Sequence, residues 1–270
     1  MNILDKIVAH KLEEVQINKK HVSKDMLMQS ALYERSTLSM VAHLNREDKS
    51  GIIAEFKRKS PSKSNINIDA SVKEVTEGYV LAGASGISVL TDRHFFGAHE
   101  DDIRTARQAN DCPILRKDFI IDPYQIHEAK TLGADIILLI AEILTVSQVN
   151  DLANEAKSLG LEVLMEIHSE QQLDKYCTAV DIVGVNNRNL ETFEVSIENS
   201  IQLSNSIPST ALKISESGIS NIQSIQKLKQ VGFQGFLIGE HFMAASNPAK
   251  KCKEFINELN TSQIKDIVNP

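Results

Sequence analysis

The chain has 270 residues, 42% hydrophobic and 24% charged, which excludes disorder as its main state and gives ample length to bury a core. Lys and Arg number 29 against 36 Asp and Glu, a net charge of -7, so no global positive field draws in a nucleic acid and an anionic ligand needs a local cluster of cations. Cys112, Cys177 and Cys252 stand far apart with no CxxC, and no apolar run suits a signal peptide or a spanning helix, so a cytoplasmic protein without nucleic-acid or membrane partners is expected.

Residues 1–50 read as a helical extension that caps a barrel or covers its mouth, with Ile3, Ile7, Val8 and Leu12 on one face of a first helix and Leu27 to Leu32 in a second. From residue 51 short β-rich runs recur: Gly51–Phe56, Gly86–Leu90, Pro113–Arg116, Asp135–Ile140, Leu161–Met165, Ile182–Val185, Ala211–Ile214 and Phe236–Gly239. Their starts lie roughly 20 to 35 residues apart, the length of a strand, a helix and two short loops. Helix starts between them carry caps. Asp122-Pro123-Tyr124-Gln125 has an acid at the cap, Pro at the first helical position and Gln at the capping-box position. Thr145-Val146-Ser147-Gln148, Ser220-Asn221-Ile222-Gln223 and Asn247-Pro248 repeat that logic, and Gly160 reads as a C-terminal cap. No patterned element is read beyond Glu258. Eight strands and eight helices predict an α/β chain folded as one (β/α)8 TIM barrel over 1–270, with the N-terminal helical extension. A doubly wound open sheet is the alternative, and it would usually announce a Gly-rich turn after its first strand.

In such a barrel functional groups gather at the C-terminal ends of the strands. After the first strand comes Glu55-Phe56-Lys57-Arg58-Lys59-Ser60-Pro61-Ser62-Lys63, where alternation points Glu55 and Lys57 inward and Phe56 toward the helices. The third strand ends Leu115-Arg116-Lys117-Asp118-Phe119, with Leu115, Lys117 and Phe119 on one side. The fifth ends at Glu166, the sixth runs into Asn186-Asn187-Arg188, and the seventh ends Ser215-Glu216-Ser217-Gly218. A lone acid or lysine at a strand end is most often a structural ion pair. Five polar strand ends meeting at one mouth point instead to catalysis, since a packed core would not gather so many charges.

Ser217-Gly218 before a helix and Gly239 after the last strand suggest a phosphate cradle to which Ser60 adds a hydroxyl; alternatively the glycines only serve tight turns. The eight histidines contain no HxH or HExxH and the cysteines lack ligand spacing, so no metal is implied. A Schiff-base lysine at Lys57 or Lys117 is the second mechanism these residues allow.

The segment Ile53-Ala54-Glu55-Phe56-Lys57-Arg58-Lys59-Ser60-Pro61-Ser62 resembles the signature of the indole-3-glycerol phosphate synthases. Further matches follow in order: Ser88-Val89-Leu90-Thr91-Asp92 with Phe95-Phe96-Gly97, Leu115-Arg116-Lys117-Asp118-Phe119, Gly133-Ala134-Asp135, Met165-Glu166, Gly184-Val185-Asn186-Asn187-Arg188, Ser215-Glu216-Ser217-Gly218-Ile219 and Ile238-Gly239-Glu240. The resemblance spans nearly the whole chain and implies a monofunctional (β/α)8 enzyme of L-tryptophan biosynthesis. Its reaction converts 1-(2-carboxyphenylamino)-1-deoxy-D-ribulose 5-phosphate into indole-3-glycerol phosphate, CO2 and water, with no cofactor.

The resemblance further implies roles. Lys117 is the general acid at the carbonyl oxygen and Glu166 the base or proton shuttle of dehydration; Lys57 is a second acid or holds the substrate carboxylate. Glu55 orients the lysines, Asn186 and Glu216 bond the sugar portion, and Arg188 supports Asn186 or the carboxylate. Ser60, Lys59, Ser217, Gly218, Gly239 and the amide of Glu240 belong to substrate and phosphate binding, and Phe96, Phe119 and Leu138 form a slot for the aromatic ring. The chain departs from many relatives at Ser64 and Ala98, where glycines are common, and at Glu240, where some have Ser; both glycine losses bear on loop mobility. The sugar-phosphate substrate is the expected partner, and weak association with neighbouring pathway enzymes stays open. The rivals are another sugar-phosphate barrel, such as an aldolase, and a non-catalytic barrel that binds a phosphorylated metabolite.

Overall fold

The computed structural model describes residues 3–189 and 194–268. Eight strands, β1 (Ile52–Phe56), β2 (Gly86–Leu90), β3 (Ile114–Lys117), β4 (Ile136–Ile140), β5 (Glu162–Ile167), β6 (Ile182–Asn186), β7 (Leu212–Glu216) and β8 (Gly235–Ile238), pair in parallel with their chain neighbours. β8 returns to β1 with Ile53 opposite Leu237, which closes the barrel and excludes the open sheet. The expected strands match within about two residues at each end.

Most strands are apolar on both faces, as a parallel sheet wrapped by helices requires, whereas β7 presents Lys213 and Ser215 outward. Ile53, Leu115, Leu138, Leu164, Ile214 and Leu237 fill the barrel interior. Their neighbours in sequence, such as Ile52, Ala54, Phe56, Val89, Ile137, Leu139 and Val163, pack outward against the helices. Phe56 therefore faces the helix layer, as alternation requires.

The extension forms α1 (Ile3–His21), α2 (Lys24–Met28) and α3 (Met40–Leu44). Around the barrel follow α4 (Val72–Leu81), α5 (Arg93–Phe96), α6 (Asp102–Ala109), α7 (Pro123–Leu132), α8 (Val146–Ser158), α9 (Glu198–Leu203), α10 (Ile222–Gln230), α11 (Glu240–Met243) and α12 (Pro248–Val268). The capping boxes of Asp122 with Gln125 and Thr145 with Gln148 are both formed, Asn221 caps α10, and Gly160 follows α8 with a φ of 74°. No helix among the described residues is long and apolar enough to cross a membrane.

Four expectations are corrected. The crossover after β5 holds a 3-10 helix, Glu170–Lys175, and no α-helix. Side chains tie it tightly to neighbouring loops: Gln172 accepts from the His168 N–H at 2.7 Å, and Lys175 donates to the carbonyls of Ala141 and Leu144 at 2.6 and 2.8 Å. In α1 the buried residues are Ile7, Lys11 and Val15, whereas Leu12 is 54% exposed, because the inward face steps by four residues from Ile7. Met28 ends α2, so Leu27 to Leu32 is not one helix; a further helix, α3, follows. Finally, α12 runs past Glu258 to Val268, anchored by Cys252, Phe255, Ile256 and Leu259 against the outer layer.

The extension covers both ends of the barrel. α3 closes the N-terminal end: the Glu162 carboxylate at the start of β5 accepts the N–H groups of Met40 and Val41 at 2.7 and 3.1 Å. Met40 and Leu44 then join the interior apolar cluster. α1 lies at the opposite end, where Ile3, Leu4 and Ile7 reach the mouth. At the lower end Asp135, fully buried, accepts from Arg107 at 2.9 Å, Arg35 at 2.6 Å, and the N–H groups of Leu38 and Ile114 at 2.8 and 2.9 Å. Asp135→Ala leaves a buried guanidinium without its partner and is expected to lower stability by about 3–5 kcal/mol in urea denaturation. A loss under about 1 kcal/mol would show that the cluster adds little to stability.

Candidate active site

Parallel strands bring eight C-terminal ends to one face, and there the inward positions change from aliphatic to charged or polar. Ile53 is followed by Glu55 and Lys57 along β1, Leu115 by Lys117, Leu164 by Glu166, Gly184 by Asn186 and Ile214 by Glu216. These groups open on a cavity of about 510 Å³, a size that suits a small organic ligand.

At its floor the Lys117 ammonium bridges two carboxylates. It lies 3.0 Å from Glu166 Oε2 and also donates to Glu216 Oε2. Glu166 Oε1 accepts from Asn186 Nδ2 at 3.0 Å, and Asn186 Oδ1 accepts from the Arg188 N–H at 3.0 Å, so one chain of bonds links β3, β5 and β6. Lys57 donates to Glu55 Oε1 at 2.7 Å. Gly184 is what lets Glu216 fit, because a Cβ at that position would collide with its carboxylate.

Counted at full ionisation, three carboxylates face two ammonium groups, and the excess negative charge is resolved by protons. Burial would push Glu166 up, but Lys117, His168 and the hydrogen bond from Asn186 together outweigh it and hold the carboxyl at about 2. For Glu216 burial prevails over Lys117, and the charges of Glu166 and Glu55 add to the rise, pushing it up to about 7. Burial works against the charge of Lys117, yet Glu166, Glu216 and Glu55 together raise its affinity for the proton above the ordinary lysine range. The floor thus holds an ammonium beside one firmly ionised carboxylate and one that titrates near neutrality, a set suited to general acid and base work.

One flank of the cavity is formed by Ser217, Gly218, Gly239 and Glu240, with Ser60 and Ser62 from the loop after β1. Ser217 and Gly218 both have positive φ, 67° and 74°. Asn187 holds this turn: its Nδ2 donates to Ser215 Oγ at 2.9 Å and to the Ser217 carbonyl at 3.1 Å, and its Oδ1 accepts from Ser200 Oγ at 2.8 Å. The Glu240 carboxylate stands 3.4 Å from Lys63 and 3.5 Å from Arg188. The other flank is apolar, with Phe96 and Phe119 at 5.8 Å between ring centroids, Leu138, and Ile3, Leu4 and Ile7 of α1.

The structure therefore gathers Lys117, Glu166, Lys57, Glu55, Asn186, Glu216, Ser60, Arg188, Ser217, Gly218, Gly239, Glu240, Phe96, Phe119 and Leu138 around one cavity. Lys59 is the exception. Arg58 turns outward to the buried carboxylate of Asp102, at 3.0 Å, and Lys59 then reaches the His94 carbonyl at 2.9 Å, away from the cavity lining.

The family model for indole-3-glycerol phosphate synthase matches residues 4–255. The chain belongs to that family. It is 46% identical over 258 residues to an indole-3-glycerol phosphate synthase of Bacteroides thetaiotaomicron, covering 96% of this chain and 99% of that one. Another from Bordetella pertussis is 38% identical over 251 residues, covering 92% and 96%. Among solved structures, 3-hexulose-6-phosphate synthase from Salmonella typhimurium superposes with a TM-score of 0.57 at 15% identity, over 78% of this chain and 98% of that one, a likeness of fold alone.

For this member of the synthase family, sequence reasoning missed one contribution to the site. Asn187 was visible only as part of a motif, since its role depends on Ser200 and Ser215 on other elements. The expectation that the extension caps the barrel or covers its mouth is met by α1, whose Ile3 and Ile7 line the cavity; Leu4, outside the expected face, joins them.

The Glu216 shift carries a sign. Folded Glu216 keeps its proton between the ordinary value of 4.5 and about 7, while the unfolded chain releases it. The folded state binds more protons in that window, so this group's contribution to stability falls as pH rises through it. Glu216→Gln is expected to flatten the fall in urea stability between those pH values; an unchanged slope would remove Glu216 as the group responsible.

Proposed function

We propose that this chain catalyses the decarboxylating, dehydrating ring closure of 1-(2-carboxyphenylamino)-1-deoxy-D-ribulose 5-phosphate to indole-3-glycerol phosphate in L-tryptophan biosynthesis. The observation that carries the reading is the Lys117 ammonium bridging Glu166 and Glu216 at the closed floor of the cavity, in a chain of this family. Lys117 is the general acid. As the ring carbon bearing the carboxylate attacks the ketone carbon, the ketone oxygen becomes a hydroxyl by taking the Lys117 proton. Loss of CO2 returns the carbon–carbon bonding pair to the ring and restores aromaticity. In the dehydration the hydroxyl leaves as water with a proton from an acid, and Glu166, ionised beside Lys117, takes the proton whose loss completes the indole. Conversion of a carboxylate to CO2 consumes one proton overall, which resupplies the lysine from solvent.

Lys57 stands on the other side of the floor, beside Glu55, where it serves as second acid or holds the substrate carboxylate with Arg188. Asn186 and Glu216 bond the sugar portion. Ser60, Ser217, Gly218, Gly239 and the backbone of Glu240 hold the phosphate, and the apolar flank of Phe96, Phe119 and Leu138 takes the aromatic ring. We place the enzyme in the cytoplasm on its three unpaired cysteines; burial pushes the thiols of Cys112 and Cys252 up to about 12, which keeps them unreactive.

Purified protein mixed with this substrate in buffer containing EDTA is expected to develop indole fluorescence, on a low background because the chain has no Trp. Lys117→Ala is expected to lose about 10²- to 10⁴-fold in kcat with KM changed only a fewfold; near-normal turnover would remove it as general acid. In a single turnover Glu166→Gln should release CO2 faster than it forms indole, since it retains the acid but lacks the later base. Equal rates for the two products would place Glu166 elsewhere in the reaction.

A further inference from the structure

The inward face of α1 carries a lysine. Lys11 is fully buried, with its ammonium 3.0 Å from Asp92 Oδ2, 3.0 Å from Asp118 Oδ1 and 2.9 Å from Glu14 Oε1. Asp92 and Asp118 are themselves buried, and Asp118 lines the cavity. Asp118 lies between Lys117 and Phe119; its Oδ1 also accepts the Phe119 N–H at 2.8 Å, and its Oδ2 accepts from Thr91 at 2.6 Å and Arg116 at 3.0 Å. Asp92 caps α5, with the Phe95 N–H donating to Oδ1 at 2.7 Å, and α5 sets Phe96 against Phe119. One turn before Lys11 on the same helix, Ile7 lines the cavity, followed by Leu4 and Ile3. His10 adds an aromatic contact to α5, 4.6 Å from His94 between ring centroids.

We propose that Lys11 is a positioning residue of the active site: its ammonium pins α1 to the ends of β2 and β3, and so fixes the slot between Phe96, Phe119 and α1 together with the backbone that carries Lys117. This rests on the ring-closing activity proposed above. The charges explain why an ammonium is needed. Lys11 and Arg116 are two buried cations facing the two buried carboxylates of Asp92 and Asp118, and each also meets a less buried acid, Glu14 for Lys11 and Glu128 for Arg116. Without Lys11, Asp92 loses the cation that meets it, and two desolvated carboxylates repel at adjacent strand ends. The strands are held by their ladders, so the strain is relieved by the parts that are free to shift, α1, α5 and the loop after β3. Those are the parts that grip the aromatic ring.

The test compares wild type, Lys11→Met and Lys11→Arg by steady-state indole fluorescence, with urea denaturation and circular dichroism to establish that each is folded at the assay temperature. Lys11→Met is expected to raise KM for the arylamino sugar phosphate about 10-fold or more and to lower kcat severalfold, in keeping with the large cost of small misplacements. Lys11→Arg, which keeps the charge, should recover most of the loss. A purely structural role predicts a lower denaturation midpoint with KM and kcat of the folded enzyme unchanged, and that result overturns the proposal. If Lys11→Met does not fold, Asp92→Asn supplies the same reading, because Asn still caps α5 but lacks the charge facing Lys11; a severalfold rise in KM supports the role and an unchanged KM overturns it. A wild type without turnover removes the proposed activity and this role together, whereas an active wild type with unaffected variants removes only the role of Lys11.

Discussion

The ion cluster of Lys117, Glu166 and Glu216 exists because three non-adjacent strands converge on one end of a closed barrel. Taking these charges out of water is costly, and the cost is offset only when each finds a partner at close range. Parallel closure provides that range by aiming the ends of β3, β5 and β7 at a common axis. Glu216 has the further requirement of an empty volume over Gly184 on the neighbouring strand. With Glu55 and Lys57 the mouth carries one carboxylate more than it has ammonium groups, so one proton is retained near neutrality, and Glu216, the most buried of the set, retains it. The same imbalance that strains the free site leaves it with a proton to move.

Stability and chemistry occupy opposite ends of this barrel. At the N-terminal end α3 fills the bore and Glu162 and Asp135 are saturated with donors, so no charge there is left to react. Between the two ends lie layers of isoleucine and leucine, which hold the ends apart and exclude water from below. The extension touches both ends, which links its folding to the shape of the mouth.

The barrel was legible in the sequence because strand period, cap residues and spacing are local signals that agreed with one another. The inward Glu55 and Lys57 and the outward Phe56 followed from alternation alone, and the family resemblance supplied roles that geometry alone does not assign. Alternation fails where the strand ends. Lys59 lies three residues beyond Phe56, and its direction is set by the burial of Arg58 against Asp102, a contact across the outer layer. In α1, hydrophobicity chose Leu12 over Lys11 for the inner face, because the partners that bury the lysine are contributed by β2 and β3. The 3-10 crossover after β5 depends on side-chain bonds to a different loop, and α12 continues beyond Glu258 on backbone bonds begun by an anchored first half. Each miss is a case where distant residues decide a local outcome.

The cations of the mouth divide into two kinds. Lys117 and Lys57 are largely buried and closely paired, and contacts of that kind are expensive to break. Lys63 and Arg188 meet Glu240 at 3.4 and 3.5 Å, with Glu240 and Lys63 both more than 40% exposed. An exposed ion pair is worth about 1 kcal/mol or less, so an anion arriving at the rim can draw Lys63 away from Glu240 at little cost. The carboxylate then turns to solvent, which its exposure permits. The proposed reaction, which must first bind an anionic substrate and then move a proton, would be served by this division: the exposed pair at the rim is cheap to exchange, while the buried pairs of the floor are costly to break.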